Sequence, residues 1–406
     1  MTKKSDAPAI RFKGFSDAWE QRKFSELYEK VSRKNDLTYG KDDIISVANM
    51  YFKADSYITD ESYLLTYNIF ELGDIAFEGN KSKNYAHGRF VENTIGNGIV
   101  SHVFDVFKPI MKPYDLQFWK YAINNEQLMG GILLRSTKAS TMMTNLVAND
   151  FLQETFLVPA YPEQQKIGAF FQELDRLIAL HQRKFEKLTN VKKSMLEKMF
   201  PQNGSSYPEI RFKGFTDPWE QRKLSEIADK VTEKNTGLQY IETFTNSAEF
   251  GIISQRDFFD HDIAKMSSLG GYYIVRNEDF VYNPRISTSA PVGPINRNKL
   301  GRIGVMSPLY TVFRPHDVDT TYLEYFFKSK YWHSFMNFNG DSGARSDRFS
   351  IKDSVFFEMP IPLPYIEEQR KIGEHLTQLD HLITLHQREL EKLQNIKKSM
   401  LEKMFV

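Results

Sequence analysis

The chain of 406 residues contains no cysteine, which excludes disulfide bonds and thiolate metal sites and suits a reducing compartment. It also lacks any apolar run near the roughly 20 residues that a helix needs to cross a bilayer. The N-terminal segment has no apolar core of signal-peptide length. These absences predict a soluble protein of the cytoplasm.

Signatures of catalysis are missing as well. The sequence has no phosphate-binding G-x-x-x-x-G-K-[ST] loop and no dinucleotide-binding G-x-G-x-x-G segment. Its nine histidines are scattered, without the H-x-x-x-H spacing of a zinc site. We therefore predict no catalytic residue, no metal site and no cofactor-binding site, which disfavours a stand-alone methyltransferase or nuclease.

Charge and size constrain the protein less sharply. Lys and Arg number 53, Asp and Glu number 52, and the resulting net charge of +1 can still conceal a basic face. A hydrophobic content of 41% is ordinary for a globular protein. Because 406 residues exceed the usual size of one hydrophobic core, we expect at least two domains.

What the sequence does contain is a tandem duplication. Residues Ile10–Val31 recur at Ile210–Val231, and residues Glu163–Phe200 recur at Glu368–Phe405 with 26 of 38 positions identical. A repeat this long indicates two whole domains and not a solenoid. The expected boundaries are 1–162 for the first domain, 163–200 for a long helix, 201–208 for a linker, 209–367 for the second domain and 368–406 for a second long helix.

The second repeated segment has the pattern of a long amphipathic helix. Its apolar residues recur so that one stripe of the helix is apolar. A helix of this length with one apolar stripe is not stable alone in water, and the other copy is its obvious partner. The predicted interface comprises Ile167, Phe171, Leu174, Ile178, His181, Phe185, Leu188 and Met195 in the first copy, and Ile372, Leu376, Leu379, Ile383, His386, Leu390, Leu393 and Met400 in the second.

The two helices are predicted to pack antiparallel, because each follows a large globular segment and parallel packing would crowd both segments at one end. Laid flush, helices of roughly 57 Å, at 1.5 Å per residue, bring His181 and His386 together near their midpoints. We interpret these histidines as semi-polar core contacts, with a pH-sensitive role in register as the alternative. The predicted fold class is α+β: two similar mixed α/β domains separated by two long helices that form an antiparallel coiled coil, related by a pseudo-two-fold tandem duplication.

Between the repeated segments, the two halves share only a faint outline, and each carries two clusters of basic, amide and hydroxyl side chains. Arg, Lys and Asn read base edges, and Ser and Thr contact phosphates. Because the clusters recur at matching points of both halves, we predict that they bind DNA, with solvated polar loops as the alternative. The predicted residues are Lys81, Lys83, Asn84, Arg89, Arg135, Ser136, Thr137 and Lys138 in the first half, and Asn283, Arg285, Ser287, Thr288, Ser342, Arg345, Ser346 and Arg348 in the second.

Three duplicated motifs carry a family resemblance. Each half opens with Trp-Glu-Gln-Arg-Lys, at Trp19 and Trp219, and each long helix begins with Glu-Gln-x-Lys-Ile-Gly, at Glu163 and Glu368. Each helix ends with Lys-Lys-Ser-Met-Leu-Glu-Lys-Met-Phe. In this order, and over essentially its whole length, the chain resembles a DNA specificity subunit of a type I restriction-modification system.

The resemblance implies two target-recognition domains, each reading one half of a split, asymmetric site on double-stranded DNA, with the paired helices as a molecular ruler. It also implies that the chain itself is not catalytic. Methylation and cleavage would belong to two modification (methyltransferase) subunits and to restriction subunits, which are ATP-dependent translocases and nucleases. Those partners would supply the sites for S-adenosylmethionine, ATP and Mg²⁺.

The competing interpretation is a non-catalytic coiled-coil scaffold with two protein-binding domains, which a duplicated helix module would suit equally well. With either function, the exposed faces of the helices and the segments at Trp19 and Trp219 are candidates for docking two copies of one partner. The alternative for each tryptophan is packing inside its own domain.

Overall fold

A computed structural model describes residues 7–53, 58, 60–139, 143–202, 204–259, 266–342 and 347–406. The chain forms two compact units, one comprising Met1–Arg183 and Gln387–Val406 and the other comprising Lys184–His386. Each unit therefore holds one globular domain, the beginning of the long helix that follows this domain, and the end of the other long helix. These units differ from the predicted boundaries, which assigned every helix a range separate from the domains.

The first unit is built on short strands with helices packed against them. Its strands are β1 (Glu20–Lys23), β2 (Tyr28–Val31), β3 (Ile45–Ser46), β4 (Tyr51–Phe52), β5 (Asn68–Phe70), β6 (Ile75–Glu78), β7 (Arg89–Glu92), β8 (Gly98–Val100), β9 (Val106–Pro109), β10 (Thr137–Ala139), β11 (Thr144–Leu146) and β12 (Thr155–Val158). Its helices are α1 (Phe24–Leu27), α2 (Leu116–Ile123), α3 (Glu126–Ser136), α4 (Ala148–Gln153) and the beginning of α5 (Tyr161–Lys198). The central antiparallel sheet has the order β2-β9-β6-β7.

The second unit repeats this plan. Its strands are β13 (Glu220–Lys223), β14 (Ala228–Lys230), β15 (Phe244–Ser247), β16 (Gly251–Ser254), β17 (Tyr273–Val275), β18 (Phe280–Tyr282), β19 (Ile295–Arg297), β20 (Gly304–Met306), β21 (Thr311–Pro315), β22 (Asp341–Ser342), β23 (Phe349–Ser350) and β24 (Pro360–Leu363). Its helices are α6 (Gln255–Phe259), α7 (Thr320–Lys328), α8 (Tyr331–Asn339), α9 (Asp353–Phe356) and the beginning of α10 (Ile366–Lys403). The central sheet, β14-β21-β18-β19, has the same order of equivalent strands as the first.

Within each unit, the two long helices run antiparallel. In the first unit, Asp175 of α5 pairs with Lys397 of α10 at 2.5 Å, while Phe171, earlier in α5, contacts Phe405, just after the end of α10. In the second unit, Lys192 of α5 pairs with Asp380 of α10. The predicted fold class, two mixed α/β domains with an antiparallel pair of long helices, is confirmed in both units.

The residues of the predicted helix interface are all buried or half-buried, His181 and His386 among the half-buried ones. Those at the beginning of each helix lie in the core of the globular domain. In the first unit, Ile167, Phe171 and Leu174 share this core with Leu393 and Met400. In the second unit, Ile372, Leu376 and Leu379 share it with Leu188 and Met195. The apolar stripe therefore contacts a domain as well as the other helix.

The repeated motifs fasten each long helix to its domain. Arg11 donates two hydrogen bonds to the buried carboxylate of Glu163, at 2.6 and 2.8 Å, and Arg211 makes the same bidentate pair with Glu368, at 2.8 Å for both bonds. The indoles of Trp19 and Trp219 are buried inside their own domains. The duplicated motifs thus preserve packing, and the two tryptophan side chains are not exposed for docking.

Among the helices of the described segments, none is both long and apolar enough to span a membrane.

Candidate nucleic-acid interface

In each domain, the loop between two central strands meets a two-stranded hairpin. In the first domain, the backbone N–H of Thr144 in the β10–β11 hairpin donates to the carbonyl of Gly79, directly after β6, at 2.8 Å. In the second, the N–H of Phe349 in the β22–β23 hairpin donates to the carbonyl of Pro284, after β18, at 2.7 Å. We call these the first loop–hairpin surface (residues 79–88 and 137–146) and the second loop–hairpin surface (residues 283–293 and 341–350), each considered over its described residues. The structure thereby brings together the two predicted clusters of each domain.

A glycine closes each loop on itself. Gly88 and Gly293 have φ angles of +79° and +84°, a region that favours glycine. A Cβ atom at Gly88 would lie 2.6 Å from the carbonyl oxygen of Glu78, and one at Gly293 would lie 2.1 Å from that of Asn283. The loops can return this closely to their own strands only because these positions carry no side chain.

Five of the predicted cations project from the two surfaces with their charge available. Lys81, Lys83 and Lys138 are exposed on the first surface, and Arg285 and Arg348 are exposed on the second. Within the described parts of the chain, none of the five side chains takes part in an ion pair. The backbones of Arg285 and Arg348 pair with each other in an isolated antiparallel bridge, which holds the two guanidinium groups on one surface.

Several uncharged predicted residues are exposed beside these cations. They are Asn84 on the first surface, and Ser287, Thr288 and Ser342 on the second. Asn283 is half-buried and shapes the second loop, because its side-chain amide donates to the carbonyl of Asn246 at 2.8 Å and its oxygen accepts from the N–H of Arg285 at 3.0 Å. Arg345 and Ser346 lie outside the described residues.

Other predicted residues serve the structure of the first domain. Ser136 is 0% exposed and its hydroxyl donates to the carbonyl of Ile132 at 2.7 Å, so the prediction that it contacts DNA is wrong. The hydroxyl of Thr137 likewise donates to the carbonyl of Leu133, at 2.7 Å. Both hydroxyls satisfy the end of α3, a local role that composition does not distinguish from phosphate contact.

Two predicted arginines of the first domain already have carboxylate partners. Arg89 donates to Glu78 at 2.7 Å and to the carbonyl of Ala48 at 2.6 Å. Arg135 is exposed but makes a bidentate pair with Glu154, at 2.8 and 2.5 Å, and this hydrogen bonding raises the pKa of the guanidinium. A pair of this kind fixes the position of the arginine and offsets its charge, so neither residue offers a free cation.

Beside the second surface lies a cleft of about 410 Å³, lined in part by Tyr273, Leu309, Tyr310 and Arg348. Its mixture of aromatic, aliphatic and cationic side chains suits contact with nucleotides. Composition did not single out Leu309 or Tyr310, because they are not basic. Over the described residues, there is no group of three or more His, Asp or Glu side chains placed to hold a metal ion.

The sequence is similar to a known family. Residues 216–395 match the family model described as Type I restriction modification DNA specificity domain. The chain is 25% identical over 258 residues to the type I restriction enzyme MjaVIII specificity subunit of Methanocaldococcus jannaschii, an alignment that covers 60% of this chain and 59% of that protein. It is 24% identical over 266 residues to the putative type I restriction enzyme MjaX specificity subunit of the same organism, with coverage of 60% and 56%. The chain spans less than three fifths of the length of either relative.

The fold is similar to that of a solved structure, the type I restriction-modification system S subunit from M. genitalium. The TM-score is 0.54 with 13% sequence identity, over 98% of this chain and 99% of that chain. At this level of identity, the similarity shows a common fold only.

Proposed function

We propose that the chain, whose sequence is similar to those of type I restriction-modification specificity subunits, binds double-stranded DNA and that each domain reads one half of a split site. The observation that carries the proposal is the pair of loop–hairpin surfaces, each with exposed cations that have no ion-pair partner among the described residues. Cations of this kind neutralise phosphates and read base edges in the major groove.

The two surfaces differ in the cations they present. The first offers Lys81, Lys83 and Lys138, and the second offers Arg285 and Arg348. Lysine acts as a point charge, whereas the planar guanidinium of arginine can bind the O6 and N7 atoms of guanine with two parallel hydrogen bonds. Surfaces of different chemistry support a recognition sequence whose two halves are unlike.

We further propose that the chain has no catalytic role and directs separate methyltransferase and restriction subunits to its site. S-adenosylmethionine, ATP and Mg²⁺ would then be bound by those partners. The exposed faces of the last turns of α5 and α10, from Glu186 and from Glu391 onward, are largely duplicated in sequence, which supports docking of two copies of one partner. The proteins that this chain resembles are named as specificity subunits, which supports the same division of labour.

The proposal is tested by measuring binding of the full chain to a duplex over a series of salt concentrations. Binding through phosphates gives a linear fall of log K with log salt, with a slope of about −0.9 per phosphate neutralised. The triple variant Lys81→Ala/Lys83→Ala/Lys138→Ala and the double variant Arg285→Ala/Arg348→Ala should each reduce the slope. Lys223→Ala is the matched control, because this exposed lysine already pairs with Glu358.

A flat salt response in the wild type would instead support the alternative function, a scaffold whose domains bind proteins. Sequencing of methylated sites in cells then tests specificity. The triple variant should relax only one half of the methylated motif, and the double variant only the other half. Relaxation of both halves by either variant would contradict a separate reader in each domain.

A further inference from the structure

Phe338 is the most exposed of the large apolar side chains described, at 90% of its maximum. It lies in the last turn of α8 (Tyr331–Asn339), directly before the β22–β23 hairpin of the second loop–hairpin surface. The apolar residues of the same helix that precede it behave differently, since Trp332 and Met336 are buried and Phe335 is half-buried. We propose that Phe338 is a specificity-determining residue that packs against the C5-methyl group of a thymine in the half-site read by the second domain.

The position of Phe338 corresponds to that of a residue on the first surface. In the two hairpins, Lys138 pairs with Asn145, and Asp341 pairs with Ser350. The hydrogen bonds from Thr144 to Gly79 and from Phe349 to Pro284 set the same register between hairpin and loop. Counting back three residues from Lys138 and from Asp341 aligns Arg135 with Phe338.

Burial in the helices that precede the two hairpins supports this alignment. The alignment matches Met129 with Trp332 and Leu133 with Met336, and all four side chains are buried. The same position at the edge of the two surfaces therefore carries an arginine in one domain and a phenylalanine in the other. At the hairpin position of Arg348, the first domain has the exposed Met143. At these two positions, the first surface has Arg135 at the end of the helix and Met143 in the hairpin. The second surface has Phe338 at the end of the helix and Arg348 in the hairpin.

DNA is the occupant that the surroundings favour. Arg285 and Arg348, exposed and without an ion-pair partner among the described residues, lie on the surface whose hairpin begins three residues after Phe338. Two unpaired guanidinium groups favour a polyanion over an apolar protein surface. In the major groove, the thymine methyl group is the apolar feature that distinguishes one base pair from another, and phenylalanine is among the residues that contact it.

The inference rests on the proposed function, and the test separates the two. The half-site is first identified from the methylated motif of the wild type. The full chain, assembled with its modification subunits, is then titrated with duplexes in which each thymine of that half-site is replaced in turn by uracil, which lacks only the methyl group. Wild type is expected to lose about fourfold in affinity at one position, the effect of exposing one methyl-sized group to water.

Phe338→Ala is expected to weaken binding by about tenfold and to abolish the sensitivity to uracil at that same position. Phe338→Leu should bind with an affinity between those of Phe338→Ala and wild type, and it should keep part of the sensitivity to uracil. The matched control is Ile241→Ala, an apolar residue of the same domain that is 67% exposed but lies outside the loop–hairpin surface. It should bind as wild type does and keep the sensitivity to uracil.

Three outcomes would overturn the assignment: Phe338→Ala binding like wild type, a loss of affinity that leaves the uracil effect unchanged, or a loss of association with the modification subunits while DNA binding is intact. The last result would identify the residue as a protein contact. A wild-type protein that shows no sequence-specific binding would instead refute the proposed function itself.

Discussion

Glu92 of β7 and Arg297 of β19 occupy the same position in the two central sheets, because they pair with the equivalent residues Ile75 and Phe280. Each faces a residue of the following helix that has the opposite charge. Arg297 pairs with the buried Glu324 at 2.5 Å, and the charge of Lys120 acts on Glu92. The same position of the central sheet therefore carries a buried acid in one domain and an arginine paired with a buried acid in the other.

Protonation differs between the two acids. Burial raises the pKa of Glu92 well above its ordinary value, against the opposing effects of a hydrogen bond from Tyr114 and the charge of Lys120. Burial also raises the pKa of Glu324, but the charges of Lys328 and Arg297 outweigh it and lower the pKa to about 2. Glu92 is thus held towards its neutral form, whereas Glu324 remains ionised.

Glu92→Gln is predicted to stabilise the first unit at neutral pH. The folded state binds the Glu92 proton more tightly than the unfolded state, so this contribution to stability is complete below the ordinary carboxyl pKa. It is lost as the pH rises through the folded-state pKa, by up to about 1.4 kcal/mol per pH unit. Urea unfolding across the acidic and neutral range measures this slope, which the variant should flatten. An unchanged slope, equal to that of the exposed control Glu29→Gln, would contradict the assignment.

At the scale of elements, each long helix begins against the N-terminus of a shorter one. Asp115 and Asp319 cap α2 and α7, accepting hydrogen bonds from the N–H groups of Phe118 and Tyr322 at 2.7 and 2.9 Å. These caps lie beside Gly168 and Gly373, early in α5 and α10. Sequence alone marks these glycines as unfavourable for a helix by about 1 kcal/mol relative to alanine.

Gly168→Ala is predicted to destabilise the first unit by about 1–3 kcal/mol, despite its better helix propensity. The new methyl group would lie 2.6 Å from the carboxylate of Asp115 and 2.7 Å from the backbone nitrogen of Phe118. Gly373→Ala is the matched comparison, since its nearest neighbour is the side chain of Thr321 at 3.1 Å. Thermal unfolding should show the larger loss for Gly168→Ala, and equal effects would contradict the close approach.

The two long helices are also the elements predicted to act as a molecular ruler between the two half-sites. Each continues from one compact unit into the other, with the change at Arg183 in α5 and at His386 in α10. Insertion of one heptad into both helices at these points preserves the apolar stripe and adds about 10.5 Å. We predict that the unread spacing in the DNA site grows by about three base pairs, at 3.4 Å each. Sequencing of methylated sites measures this spacing. Altered half-sites with an unchanged spacing would contradict the hypothesis that the helices act as a ruler.

At the scale of the whole molecule, residues from distant parts of the chain complete each unit. The ring centroid of Phe405, after the end of α10, lies 6.3 Å from that of Trp19 and 5.7 Å from that of Phe118 in the first domain. The ring centroid of its duplicate, Phe200, lies 6.4 Å from that of Trp219 and 5.5 Å from that of Tyr322 in the second domain. The first unit therefore has a core that joins the two ends of the sequence, whereas the second is formed from one continuous segment.

Phe405→Ala is predicted to destabilise the first unit, and Phe200→Ala the second, by about 3–5 kcal/mol each, the usual effect of removing a buried phenylalanine. Hydrogen–deuterium exchange locates the change. Faster exchange near Trp19 in the first variant and near Trp219 in the second is expected, and each variant serves as the control for the other. Equal effects of either variant on both units would contradict separate cores.

The duplicated sequence by itself determined the two-domain plan, the long helices and their apolar stripe, because periodicity and repetition are local properties of the chain. Its composition also indicated loops with exposed cations, since Lys81, Lys138, Arg285 and Arg348 are exposed, and DNA binding by these loops stays a prediction. Only the tertiary structure decided which polar groups were already bonded. Burial of Ser136 depends on how α3 packs, and the charge of Arg135 is offset by a residue 19 positions away.

Tertiary structure alone also assigned the end of each helix to the domain of the other repeat and left Phe338 exposed. Both depend on contacts between residues far apart in sequence, which local patterns of hydrophobicity do not encode.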